Sequence, residues 1–270
     1  MLAKSYLFVP GNRPERFEKA CTSGAGAVIL DLEDAVAAYE KVVARQSVVA
    51  WLCAGGRAFV RINAADTAWY AEDVSSLVGC AGLLGIVVPK AEDEAALRTV
   101  AMSLPESGAL LPLIETAAAF DQLGAIARVP RVQRLLFGTI DFQVDTGIRG
   151  NGDELLYFRS QLTLVSRIAK IGAPVDGVTV AIDNAELLHD ETLRARNLGF
   201  SGKLCIHPKQ IPYVHAAFAP SAEEIDWARR VIEAVNASRG SATIVDGKMV
   251  DLPVIAQAHN VLEIAGIEAL

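Results

Sequence analysis

Eight short, apolar, β-rich runs follow one another along the chain: "SYLFVP", "AVILDLE", "AFVRIN", "GIVVPK", "LLPLIET", "RLLFGTID", "VDGVTV" and "GKLCIHP". Longer stretches with helical spacing and end signals separate them. Examples are "RPERFEKACTSG", "EDEAALRTVAMSL" and "ELLYFRSQLTLVSRIAKIG", the last predicted to stop at Gly172 with Pro174 beyond it. Parallel strands need a crossover helix between them, so this alternation leaves few architectures open. It predicts an α/β fold, a (β/α)8 TIM barrel, which commonly needs about 250 residues. A doubly wound open sheet is the alternative, but no GxGxxG turn follows the first run to support a dinucleotide site.

The end of the chain exceeds what a barrel needs. "SAEEIDWARRVIEAVNASRG" reads as a helix, "SATIVDGKMVD" as a hairpin turning at Asp246-Gly247, and an apolar helix follows from Pro253. The expected division is a barrel over residues 1–220 and a C-terminal helical and hairpin extension over 221–270, together one functional domain.

Composition narrows the function classes. Hydrophobic residues make up 52% and charged residues 21%, a balance that suits a buried enzyme core. No apolar run reaches the roughly 18 residues of a membrane span, and the N-terminus enters a strand without a secretory leader, which predicts a cytoplasmic protein that does not engage membranes. A net charge of −7 gives no general attraction for nucleic acid. Cys21, Cys53, Cys80 and Cys205 lie far apart without zinc spacing and read as structural thiols.

Barrel strands point their C-terminal ends at the active-site face, so polar residues where apolar runs stop are the candidates. These are Asp31, Glu33 and Asp34, Arg61 and Asn63, Lys90, Glu115, Asp141 and His207. Glu115 and Asp141 close neighbouring predicted strands. Two carboxylates at one mouth repel unless a proton or cation sits between them, and two carboxylates completed by water and substrate oxygens are how Mg²⁺ is usually held. Each can instead cap a helix, with Thr116 as an N-cap. Arg61 would have to be buried, and either pairs with Asp31 or Glu115 or grips a substrate carboxylate in two parallel hydrogen bonds. Glu33 and Asp34 are expected to hydrogen-bond to metal-bound water rather than to the ion, or simply to favour a helix N-terminus. Arg13, Arg16 and Lys19 form either a solvated surface or a phosphate-binding group. His207 reads as structural, and His189, His215 and His259 as surface or packing residues.

Ten segments in register carry a resemblance, among them "LFVPGNRPERFEKA", "VILDLEDAV", "VRINAADTAWYAEDV", "LLPLIETA", "LLFGTIDFQVDTGI" and "VDGKMVDLPVIAQA". Together they resemble the citrate lyase β-subunit-like (citryl-CoA lyase) family of the HpcH/HpaI aldolase superfamily. The resemblance implies a (β/α)8 barrel that cleaves or forms a carbon–carbon bond beside a CoA thioester, using Mg²⁺. It implies Glu115 and Asp141 as metal ligands, Arg61 as the holder of the keto acid's carboxylate, and Arg13, Arg16 and Lys19 near CoA. It also implies a trimer or larger homo-oligomer, in which the C-terminal extension packs on a neighbouring subunit and Asp251 of "MVD" reaches that neighbour's site. The implied reaction is retro-Claisen cleavage of a citryl-, malyl- or citramalyl-type 3-hydroxyacyl-CoA to acetyl-CoA and a 2-keto acid such as oxaloacetate. The alternatives are a thioesterase on the same site, a partner-dependent subunit of a citrate lyase complex, and a CoA-free pyruvate aldolase, against which "DGKMVD" speaks. Alanines in "IETAAAF" and the residues around Asp145 in "DFQVDTGI" depart from the commoner pattern and bear on the acyl pocket.

Overall fold

The computed structural model describes residues 2–238 and 243–267. Arg239 to Ala242, which the helix and hairpin readings included, lie outside the described residues. The chain divides into two compact units, Met1–His215 and Ala216–Leu270.

In the first unit eight parallel strands close into a barrel in chain order: β1 (Ser5–Pro10), β2 (Ala27–Asp31), β3 (Ala58–Arg61), β4 (Leu83–Val88), β5 (Ala109–Ile114), β6 (Leu136–Phe137), β7 (Val175–Asp176) and β8 (Gly202–Cys205). The ring closes where β1 pairs with β8, Ser5 opposite Lys203 and Leu7 opposite Cys205. The connecting helices are α1 (Phe17–Cys21), α2 (Lys41–Cys53), α3 (Tyr70–Leu77), α4 (Glu94–Ser103), α5 (Ala117–Asp121), α6 (Leu123–Ile126), α7 (Thr139–Thr146), α8 (Leu156–Ala169), α9 (Ala185–Asn197) and α10 (Ile211–Phe218).

Successive strand residues point to opposite faces, so every second one enters the barrel. Tyr6, Ile29, Phe59, Val87, Leu113 and Leu204 meet there in one apolar cluster. Their neighbours Val28, Leu30, Val60 and Ile86 are equally buried on the outer face of the ring. This double burial explains why the strands read as near-continuous apolar runs.

Two sequence expectations need correction. The run "RLLFGTID" does not continue as a strand: β6 stops at Phe137, the chain turns at Gly138, and Asp141 lies in the first turn of α7 rather than at a strand end. Gly172 does not end the helix before it either. α8 stops at Lys170, which takes the left-handed conformation (φ 59°) while the Ile171 N–H donates to the Ser166 carbonyl at 3.1 Å.

Buried charge outside the mouth is also built in. Arg134 is fully buried, donating from Nε to the Ala173 carbonyl (2.8 Å) and from Nη1 to the Ala3 carbonyl (2.8 Å). Asp176 and Lys203 face each other across β7 and β8. Arg159 Nε donates to Asp176 at 2.8 Å, and Lys203 Nζ lies 3.6 Å from Asp176 while donating to the Gly177 carbonyl at 2.8 Å. All four cysteines are free thiols, and the sulfurs of Cys53 and Cys80 come within 3.0 Å.

The second unit contains α11 (Ala222–Ala237), β9 (Thr243–Val245), β10 (Lys248–Val250) and α12 (Leu252–Ile264). Ser221 and Glu224 close a capping box at the start of α11. β9 and β10 pair antiparallel about Asp246 and Gly247, both at positive φ (50° and 75°), as a two-residue hairpin turn requires. Val231, Ile232, Val250 and Leu262 form this unit's core. Among the described residues no helix is long and apolar enough to cross a membrane.

Candidate active site

The inward alternation of the strands explains the charges at the barrel mouth. On β5 the inward residues are Leu111 and Leu113, and the next step of the same register is Glu115. On β2 Ile29 is followed by Asp31, and on β3 Phe59 is followed by Arg61. The core therefore changes from apolar to charged within one residue pair. Asp31, Arg61, Glu115 and Asp141 line a cavity of about 350 Å³ whose floor is apolar, with Phe8, Leu113 and Leu204.

Glu115 is 2% exposed and its Oε1 accepts the Lys90 N–H at 2.7 Å. Lys90 holds φ at 43°, a left-handed conformation that L side chains rarely adopt and that costs on the order of 1 kcal/mol. That turn aims its N–H at the carboxylate. On the other side stands Gly138, whose N–H donates to the Ile114 carbonyl at 2.9 Å and which leaves Glu115 the space a side chain would take. Burial first, then the charge of Glu33, push the Glu115 carboxyl up to about 8, against the pull of the Lys90 N–H and Arg61. Asp141 is more exposed, and its carboxyl is raised above the usual range by burial and by the charge of Asp34.

Asp31 and Arg61 are register neighbours on β2 and β3 and form a two-pronged ion pair, Nε to Oδ1 at 2.7 Å and Nη2 to Oδ2 at 2.6 Å. Of the two partners left open for Arg61 by the sequence, Asp31 is the one it takes. Burial works against Asp31's charge, yet the charge and hydrogen bonds of Arg61 hold its carboxyl below the usual range. The Nη1 edge of Arg61 faces Glu33 at 2.9 Å and the exposed Asp34 at 3.3 Å. Burial, opposed by Arg61, raises Glu33 to about 7.

The remaining candidates are placed as follows. Thr116 is the N-cap of α5, accepting the Ala119 N–H at 3.1 Å. His207 caps the turn Pro208–Gln210, its Nδ1 accepting the Lys209 N–H at 3.1 Å. Arg16 and Lys19 line a second cavity of about 380 Å³, which shares Phe8 and Ile206 with the first. Arg13 lines neither and lies 4.0 Å from Glu15. Asp251, in the second unit, is exposed and caps α12 by accepting the Val254 N–H at 3.2 Å. Sequence reasoning missed Lys41, whose buried ammonium donates to the carbonyls of Leu32 (2.8 Å) and Glu33 (2.6 Å). A signal existed, since a lysine at the first position of a helix opposes the helix dipole and calls for another purpose.

Among the described residues no three or more His, Cys, Asp or Glu side chains converge as a complete ligand set. Two carboxylates with open positions nevertheless suit Mg²⁺, which keeps several waters. Glu33 Oε2, buried and 2.9 Å from Arg61 Nη1 without hydrogen-bond alignment, keeps acceptor capacity that water around a cation can satisfy. The residues fit a hard divalent ion.

The family model described as HpcH/HpaI aldolase/citrate lyase matches residues 4–208. The citrate lyase subunit beta-like protein of Deinococcus radiodurans is 36% identical over 97% of this chain and 96% of its own. A (3S)-malyl-CoA thioesterase of Cereibacter sphaeroides is 36% identical over 96% of this chain and 93% of its own. The crystal structure of protein CitE from Mycobacterium tuberculosis, in complex with magnesium, acetoacetate and coenzyme A, superposes with a TM-score of 0.87 at 34% identity, covering 98% of each chain. The chain belongs to the HpcH/HpaI aldolase/citrate lyase family.

Proposed function

We propose that this protein is a Mg²⁺-dependent lyase that cleaves a 3-hydroxyacyl-CoA of the citryl, malyl or citramalyl type into acetyl-CoA and a 2-keto acid. The observation that carries the reading is the buried Glu115 beside Asp141 in an apolar-floored cavity, next to a second cavity lined by Arg16 and Lys19.

In this reading Glu115 and Asp141 hold the ion. When bound, Mg²⁺ supplies Lewis-acid polarisation of the substrate's oxygens. Arg61 is held rigidly by Asp31, and its Nη1 edge is the part for which a substrate carboxylate competes with Glu33 and Asp34. Arg16 and Lys19 take the CoA phosphates, with Arg13 as an outer positive charge. Phe8, Leu113 and Leu204 exclude water from the acyl carbon. As the carbon–carbon bond breaks, the substrate hydroxyl gives its proton to water and becomes the keto oxygen, and the bond's electron pair stays on the acyl-CoA fragment as an enolate. Asp251 from a neighbouring copy donates the proton that makes acetyl-CoA. The C-terminal extension thereby packs on the next subunit of a homo-oligomer, a trimer or larger.

A second reading has equal similarity behind it, since the malyl-CoA thioesterase is as close in identity as the citrate lyase-like relative. The same site then uses water on the thioester, with Asp251 as base. Incubation with Mg²⁺ and citryl-, malyl- and citramalyl-CoA, measuring keto acid and free CoA separately, decides between them. Keto acid with acetyl-CoA supports the lyase, and free CoA without keto acid replaces it with the thioesterase. No turnover of any of the three overturns both and favours a subunit that needs partners.

A further inference from the structure

Lys41 opens α2, yet it is buried and its ammonium is directed wholly at backbone. Nζ donates to the Leu32 carbonyl at 2.8 Å and the Glu33 carbonyl at 2.6 Å, and lies 5.6 Å from the centre of the Trp69 ring. Those carbonyls belong to the loop that leaves β2. Asp31 grips the same loop from the other side, accepting the Glu33 N–H at 2.9 Å and the Ala35 N–H at 3.1 Å. Glu33 is thus clamped at both its N–H and its carbonyl. Its carboxyl is left buried, its Oε2 ion-paired with Arg61 Nη1 at 2.9 Å but out of hydrogen-bond alignment.

A structural purpose alone explains this poorly. α2 already docks through Ala44, Val48 and Leu52, all fully buried. A lysine at a helix N-terminus opposes the dipole, and burying its charge adds a further cost. What the ammonium supplies is two charge-assisted hydrogen bonds that fix one short stretch of backbone next to the site. We infer that Lys41 is a positioning residue of the metal site: it locks the Leu32–Glu33 backbone so that the Glu33 carboxyl is held against Arg61, beside the cavity that Arg61, Glu115 and Asp141 line. The inference rests on the reading that Glu115 and Asp141 hold a divalent cation.

Mn²⁺ binding to the full-length protein, read by loss of the free-ion magnetic resonance signal, tests it without turnover. Glu33→Gln and Lys41→Met are each expected to weaken binding about tenfold or more. Because Lys41 acts through Glu33, adding Lys41→Met to Glu33→Gln should weaken it less than about twofold further. Losses that multiply in the double variant, or wild-type binding by Lys41→Met, overturn the inference. Amide hydrogen exchange of residues 33–35 in the metal-free protein reads the lock directly, with about tenfold faster exchange expected in Lys41→Met and unchanged exchange refuting it. Wild-type protein that takes up no Mn²⁺ overturns the metal reading itself, while the exchange result still judges the lock. Lys41→Gln, which removes the charge and shortens the reach to the two carbonyls, replaces Lys41→Met in both measurements where the latter fails to fold.

Discussion

Gly138 stands so close to Glu115 that a Cβ on it would lie 2.6 Å from the Glu115 Cβ and 2.7 Å from its Oε2. Both atoms belong to a side chain held in place by the Lys90 N–H, so Glu115 has to move. Gly138→Ala should therefore weaken Mg²⁺ binding at least about tenfold and cost about 1–3 kcal/mol of stability. Calorimetric Mg²⁺ titration and urea unfolding of the same sample check both. Unchanged Mg²⁺ affinity would remove Glu115 from the ligand set.

The acid cluster predicts a pH dependence with a definite sign. Glu115, raised to about 8, and Glu33, raised to about 7, hold protons more tightly when folded than in the unfolded chain. Such groups stabilise the fold at low pH and lose that contribution as pH climbs from the ordinary carboxylate range through their folded values. Metal-free protein should lose stability between about pH 5 and pH 8, and saturating Mg²⁺ should recover it increasingly over the same interval. Glu115→Gln should flatten the metal-free profile. Denaturant midpoints across pH, with chelator and with Mg²⁺, give the answer.

Asp176 and Lys203 should respond unequally to removal. Without Lys203, Asp176 keeps Arg159 as its partner at 2.8 Å. Without Asp176, two buried cations, Arg159 and Lys203, lose their shared counter-charge. Asp176→Ala is expected to cost about 3–5 kcal/mol and Lys203→Met distinctly less. Equal losses by urea unfolding would show that the cations do not share Asp176.

Arg16 and Lys19 line a cavity separate from the carboxylates, so their effects should separate as well. The double alanine variant should raise the KM for a CoA thioester about tenfold or more while leaving Mn²⁺ affinity unchanged. A fall in kcat without a change in KM would place the CoA phosphates elsewhere.

The eight runs map onto the eight strands because both faces of each strand are buried, and nothing in the connecting helices imitates that. Glu115 was legible for a related reason, since it continues the inward register of Leu111 and Leu113 by one step. The residue types of "GTID" are those of a strand, whereas the turn before Asp141 is made by Gly138 yielding to Glu115, a contact between segments. The partner of Arg61 could not be chosen from sequence, because only the pairing of Asp31 with Arg61 across β2 and β3 selects it. Nothing in the sequence pattern singles out Arg159, Asp176 and Lys203. Their burial appears only when β7 and β8 set Asp176 beside Lys203 and α8 brings Arg159 onto Asp176.

Barrel closure has a consequence for a chain still on the ribosome. β1 is the first strand made and pairs with β2 soon afterwards, but its other neighbour is β8, the last strand of the ring. Until Lys203 to Cys205 emerge, Ser5 to Leu7 present a bare edge of amides and carbonyls, the form of surface that recruits stray strands. That edge of β1 thus stays without its partner for nearly the whole of barrel synthesis.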